Sequence, residues 1–135
     1  MEIKRISHAF NNKNLDNILD SLKESYYLSR EDILNDYYKW NLYGMFDGDT
    51  LLCSCTIEEY DEFVFMKRFV MVGEYGNQYF KKMVKLWLEV EPHICLTIAH
   101  DNYKVAKILK DLNFTYVGDV MDKTGTYTYE LHQGG

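Results

Sequence analysis

The segment His93 to Phe114, HICLTIAHDNYKVAKILKDLNF, restricts the possible folds more than any other stretch of the chain. Ile94 to Ala99 is a nearly all-apolar run, the pattern of a strand buried on both faces. It stops at a polar corner, His100-Asp101-Asn102, and an amphipathic segment follows. This spacing predicts a helix over 102–112, with Asn102 well suited to its N-cap. Asn113 at the far end tolerates the left-handed cap conformation. A strand that leaves a sheet and turns at once into a helix demands helices laid against strands.

The rest of the chain fits that demand. Ile3 and Ile6 among charges predict an edge strand over 1–7. Leu15, Ile18, Leu19 and Leu22 recur at helical spacing, with Asn14 placed to cap them. A second helix opens at Ser29, with Asp32 three residues on, and Ile33, Leu34, Tyr37 and Tyr38 supply its apolar face. Strands over 42–46 and 51–57 flank Asp47-Gly48, a pair that permits tight hairpins. A polar link leads to a third antiparallel strand, 63–72. The turn Gly73-Glu74-Tyr75-Gly76-Asn77 feeds a helix over 78–90, with Phe80, Met83, Val84, Trp87 and Leu88 on one face, and Pro92 follows it. The strands 115–120 and 126–131, joined at Lys123-Thr124-Gly125, close the chain. The order predicts one α+β domain over 1–135, with a mixed, mostly antiparallel central sheet flanked by helices.

Composition excludes several function classes. The net charge of −6 and the scatter of the lysines argue against a nucleic-acid binder. Lys81, Lys82 and Lys85 read as one solvated helix face. No apolar run approaches a membrane span, and MEIKRISHAF lacks the apolar core of a secretory leader. The expectation is a soluble, cytoplasmic protein. The odd cysteine count predicts free, buried thiols, with Cys53 and Cys55 on one strand face. His8, His93, His100 and His132 are too dispersed to suggest a metal cluster.

The element order resembles that of the GNAT superfamily of N-acetyltransferases over almost the whole chain. The resemblance implies acyl-CoA lying in a gap between the strands at 63–72 and 94–99. It implies that backbone groups at Val70 and Val72 meet the pantetheine arm. It also implies that the loop and helix start at Gly73, Tyr75, Gly76 and Asn77 cradle the pyrophosphate. Free amides and the helix dipole at such a place favour an anion. Asn102 takes the place of an Asn that bonds the pantetheine arm.

The chain departs from the family pattern in several places. Gly73 stands where Arg or Gln is usual, Gln78 where a small residue is usual, and Glu74 adds negative charge. Leu109 occupies the place of a Tyr that protonates the departing thiolate, and leucine has no proton to give. Asn113 replaces a Gly. The bland alternatives are an ordinary glycine turn at Gly73 and Gly76, and a plain N-cap at Asn102.

Other residues are candidates for acid–base work. Glu58, Glu59, Asp61 and Glu62 form an acidic link that suits a cationic amine or, equally, a solvated loop. Tyr103, Tyr116 and His100 fall near the proposed gap. Tyr26-Tyr27 and Tyr37-Tyr38 flank the first two helices, with at least one of each pair expected in the core. A narrower likeness is to the short internal virion proteins of T7-like phages. Leu42-Tyr43-Gly44, Tyr79 to Met83, Leu109-Lys110 and the terminal Gly134-Gly135 carry it. Two functions therefore stand side by side. One is acetyl transfer from acetyl-CoA to an amine acceptor. The other is a non-catalytic phage or host-protein-binding component, in the cytoplasm or the virion, that keeps the fold.

Overall fold

A computed structural model describes residues 2–6, 13–22, 29–72, 77–90, 93–99, 103–120 and 124–130. The elements in chain order are β1 (Glu2–Arg5), α1 (Lys13–Ser21), α2 (Arg30–Tyr38), β2 (Leu42–Asp47) and β3 (Thr50–Glu59). Then come β4 (Val64–Met71), α3 (Asn77–Val90), β5 (His93–Ala99), α4 (Tyr103–Asp111), β6 (Thr115–Val120) and β7 (Thr124–Glu130). The strands form one seven-stranded sheet in the order β1-β2-β3-β4-β5-β7-β6. Every neighbouring pair is antiparallel except β4 and β5, which α3 connects as a crossover. The α+β reading with a mixed, mostly antiparallel sheet holds.

Local chemistry explains the helix ends. The Ser29 hydroxyl accepts from the Asp32 amide at 3.1 Å and starts α2, as the sequence leads one to expect. At the end of α4, Asn113 adopts φ +70°. Its amide donates to Lys110 and the Phe114 amide donates to Leu109, which satisfies two last-turn carbonyls. The same arrangement ends α2 with a less accommodating residue. Trp40 takes φ +63°, and the amides of Trp40 and Asn41 donate to Tyr37 and Asp36.

The alternation of β3 sorts the interior into two cores. Cys53, Cys55 and Ile57 point toward α3 and α4, where Phe80, Met83, Val84, Leu109 and Phe114 pack with Met66, Ile94 and Leu96. On the opposite face, Leu42, Phe46, Leu51, Val70 and Val72 pack against Ile18, Leu19, Ile33 and Tyr37 of α1 and α2. Gly44 sits under close cover on that second face, where a side chain would have to displace its neighbours. A Cβ there would meet Leu51 Cδ1 at 2.6 Å and Phe46 Cε2 at 3.0 Å.

Several expectations need correction. Asn14 lies inside α1 rather than at its cap. The hairpin residues are Gly48 and Asp49, because Asp47 still pairs with Thr50. Thr124 and Gly125 belong to β7, where they pair with Val120 and Asp119. Glu58 and Glu59 extend β3, which leaves Asp61 and Glu62 in the link. Only one face of β5 is fully buried, through Ile94, Leu96 and Ile98; Cys95 and Thr97 are half-buried. Tyr37 is buried and Tyr38 exposed, as the split within that pair suggests. Tyr26 and Tyr27 lie outside the described residues.

Candidate functional site

The opening is built by β4 and β5. Their parallel register runs Val64–Ile94, Phe65–Cys95 and Met66–Leu96, and stops there. Both strands continue, β4 to Met71 and β5 to Ala99, but no longer as partners. Among the described residues, the distal half of β4 is therefore bonded on one edge only, to β3. The Val72 amide donates to the Leu52 carbonyl at 3.1 Å, so it faces β3. Val70 pairs with Ser54 two residues earlier and shares that direction. Antiparallel alternation then turns the N–H and C=O groups of Phe69 and Met71 toward the edge that β5 has left.

A β-bulge marks the point of divergence. Val70 pairs with Ser54 and Lys67 with Thr56, so two β4 residues, Arg68 and Phe69, oppose the single Cys55. Arg68 takes φ +53°, left-handed backbone for a residue with a side chain. The extra residue also lets two successive cations, Lys67 and Arg68, reach acids on the α1/α2 side. Arg68 Nη1 donates to Asp36 Oδ2 at 2.8 Å, and Asp36 is 5% exposed. The Thr56 hydroxyl donates to the same Asp36 oxygen. Lys67 Nζ lies 2.6 Å from Glu58 Oε1. The hydrogen bond from Lys67, aided by one from Tyr60, holds the Glu58 carboxyl below its ordinary value against partial burial. Ser54, fully buried beside this row, has a hydroxyl with no hydrogen-bond partner.

The opposite face is chemically quiet. The Cys53 and Cys55 Sγ atoms each lie 3.8 Å from Met83 Sδ. Burial pushes the Cys53 thiol up to about 12 and raises Cys55 as well, so both stay neutral and unreactive. All three cysteines are free, as expected, though Cys95 is only half-buried.

The other expected site residues fall in different places. Asn77 is the first residue of α3, which begins just beyond the distal end of β4. Gly73, Tyr75, Gly76, Asn102 and His100 lie outside the described residues. Leu109 is fully buried in the α3/α4 core. Tyr103 and Tyr116 are 78% and 46% exposed. Glu59, Asp61 and Glu62 are exposed, while Glu58 is paired. Sequence reasoning missed Asp36, Thr56 and Arg68. Helical phase held one clue: Asp36 follows Ile33 by three residues, on the face that packs inward. Among the described residues no cluster of His, Cys, Asp and Glu could hold a metal ion. Nor is any described helix long and apolar enough to cross a membrane.

The overall fold is shared with known structures. A GNAT-family acetyltransferase from Streptococcus agalactiae superposes with a TM-score of 0.77 at 14% identity, covering 98% of this chain and 96% of that one. The fold is that of the GNAT acetyltransferases. A GNAT-family acetyltransferase from Listeria monocytogenes matches with a TM-score of 0.66 at 19% identity, over 96% and 94% of the two chains. An acetyltransferase from Thermus thermophilus matches at 0.68 and 13% identity, over 96% of each. No protein-family model matches the chain. No curated protein matches it. Nothing in these comparisons supports the narrower likeness to phage internal virion proteins.

Proposed function

We propose that this protein binds an acyl-CoA along the open edge of β4 and passes the acyl group to an amine. The observation that carries the reading is the end of the β4–β5 ladder at Met66 and Leu96. Backbone groups freed in this way need partners. An extended chain with its own amides, such as the pantetheine arm, offers strand-like bonding to Phe69 and Met71. Val70 and Val72 do not offer the backbone contact expected of them, because their own groups turn toward β3, and that contact passes to Phe69 and Met71. Asn77 opens α3 at the same end, where orphan amides and the helix dipole favour a diphosphate. Gly73, Tyr75 and Gly76 would complete the cradle, and Asn102 would approach from the β5 side.

Acyl-CoA supplies an activated thioester. The chain's own part is to hold the acyl carbonyl against a fixed strand amide, where a preorganised donor is worth most. Burial keeps the Cys53 and Cys55 thiols neutral, which favours direct attack by the acceptor amine over an acyl-enzyme. A second reading, a binding protein that has kept the fold without the reaction, is favoured by Leu109. Leu109, at the position where the family resemblance implies a proton donor for the leaving thiolate, is a fully buried aliphatic side chain.

Calorimetry and thermal shift with acetyl-CoA test the first reading. A ligand at a hundred times its Kd should add about 2.7 kcal/mol of apparent stability. Gly76→Glu should abolish that gain. No shift at millimolar acetyl-CoA overturns the acyl-CoA reading. If acetyl-CoA binds, release of free CoA in the presence of amines separates the enzyme from the binding protein.

A further inference from the structure

We propose that Arg68 is a positioning residue for the acyl site, held in place by Asp36 of α2; this rests on the acyl-CoA reading above. Left-handed backbone is costly for any residue with a Cβ and persists only where the surroundings hold it. Two such residues, Trp40 and Arg68, lie at the two ends of one short path. The path begins at the C-terminal turn of α2, where the Asn41 amide donates to the Asp36 carbonyl at 2.9 Å. The Ile57 amide donates to the Asn41 carbonyl, also at 2.9 Å, which ties that turn to β3. The Asp36 carboxylate then takes the Thr56 hydroxyl and the Arg68 guanidinium on one oxygen.

The clamp thus reaches from the helix on one side of the sheet to the extra residue of β4. Phe69, the next residue, begins the open edge of β4. The direction of its amide and carbonyl depends on where the extra residue sits. Without the clamp that residue can relax or migrate along the strand, and a one-residue slip reverses every side chain it passes. Arg68 carries no net charge into the site, because Asp36 balances it. Its role is therefore geometric: it aims the edge groups that would hold the acyl carbonyl.

The test compares acetyl-CoA with CoA, because only the former has the carbonyl in question. Affinities are measured by calorimetry for the wild-type chain, Arg68→Ala, Arg68→Gly and Asp36→Asn, each well below its own Tm. The wild type should prefer acetyl-CoA by roughly 2- to 10-fold, the worth of one net hydrogen bond. Arg68→Ala and Asp36→Asn should bring that ratio to unity. Arg68→Gly should keep part of it, because glycine adopts left-handed backbone without strain. A role confined to stability would lower Tm in all three variants and leave the ratio unchanged, and that result overturns the proposal. If the wild type binds neither compound, the acyl-CoA reading fails. Amide hydrogen exchange then tests the clamp alone. Faster exchange at Val70 and Val72 in Arg68→Ala supports it, and unchanged exchange overturns it.

Discussion

The two faces of the sheet are built from the same strands and differ in almost everything else. Along β3, the odd residues Cys53, Cys55 and Ile57 enter a dry core of sulfur, aliphatic and aromatic groups under α3 and α4. The even residues Ser54, Thr56 and Glu58 face the side where α1 and α2 pack, with an orphan hydroxyl, a clamp on Asp36 and an ion pair with Lys67. The first face has the side chains that hold a fold together: volume-filling groups and thiols kept neutral by burial. The second face spends stability on charge burial and left-handed backbone at Arg68 and Trp40. The bulge that starts the opening belongs to this second face. Buried charge and a left-handed Arg68 here lie beside the candidate site, whereas the described residues of the opposite core are apolar side chains and neutral thiols.

The contrast breaks if the dry face is not the more stabilising one. Phe80, fully buried and edge-on to Phe69 with ring centroids 4.4 Å apart, is its anchor. Phe80→Ala should cost about 3–5 kcal/mol in urea unfolding, the largest single effect expected here. Less than about 1 kcal/mol would mean that the α3/α4 core is not packed as described.

The clamp gives the next largest effect. Asp36→Ala leaves the Arg68 guanidinium, with a quarter of its side chain exposed, without its carboxylate. The loss should be about 2–3 kcal/mol, below the full buried-pair range because of that exposure. Replacing both partners, Asp36→Leu with Arg68→Met, should recover most of it. Failure to recover would show that the charges themselves stabilise the fold, and the contrast between the faces would lose its basis.

The smallest effect sharpens the comparison through pH. Glu58 has its folded value lowered by the Lys67 hydrogen bond, so its contribution is present at neutral pH. It is lost as pH falls through the depressed folded value. Glu58→Gln should therefore destabilise by at most about 1 kcal/mol near neutrality, given partial exposure of both partners. The gap between variant and wild type should close below about pH 4. A gap that widens in acid would contradict the ion pair.

Much of this was legible from residues alone where the cause is local. Ser29 and Asn113 perform the caps that their side chains suit, because capping depends on a few neighbouring amides. Cys53 and Cys55 share a face because strand side chains alternate. Asn14 misled, since an Asn can sit inside a helix when the chain enters it one residue sooner. Asp47-Gly48 misled in a similar way: the turn moved on by one because the pairing of Asp47 with Thr50 favours it. The clamp was illegible for a different reason. Asp36 and Arg68 are 32 residues apart, and nothing in either neighbourhood announces the other.

Periodicity, turn chemistry and order of elements determined the type of each segment, the α+β class and the free thiols, because those follow from interactions within a few residues. The tertiary structure alone decided where β4 gains its extra residue, where β5 departs from it and which acid receives Arg68. Each of those depends on counting residues against a distant partner strand, and on charges that meet only once the sheet has closed around them.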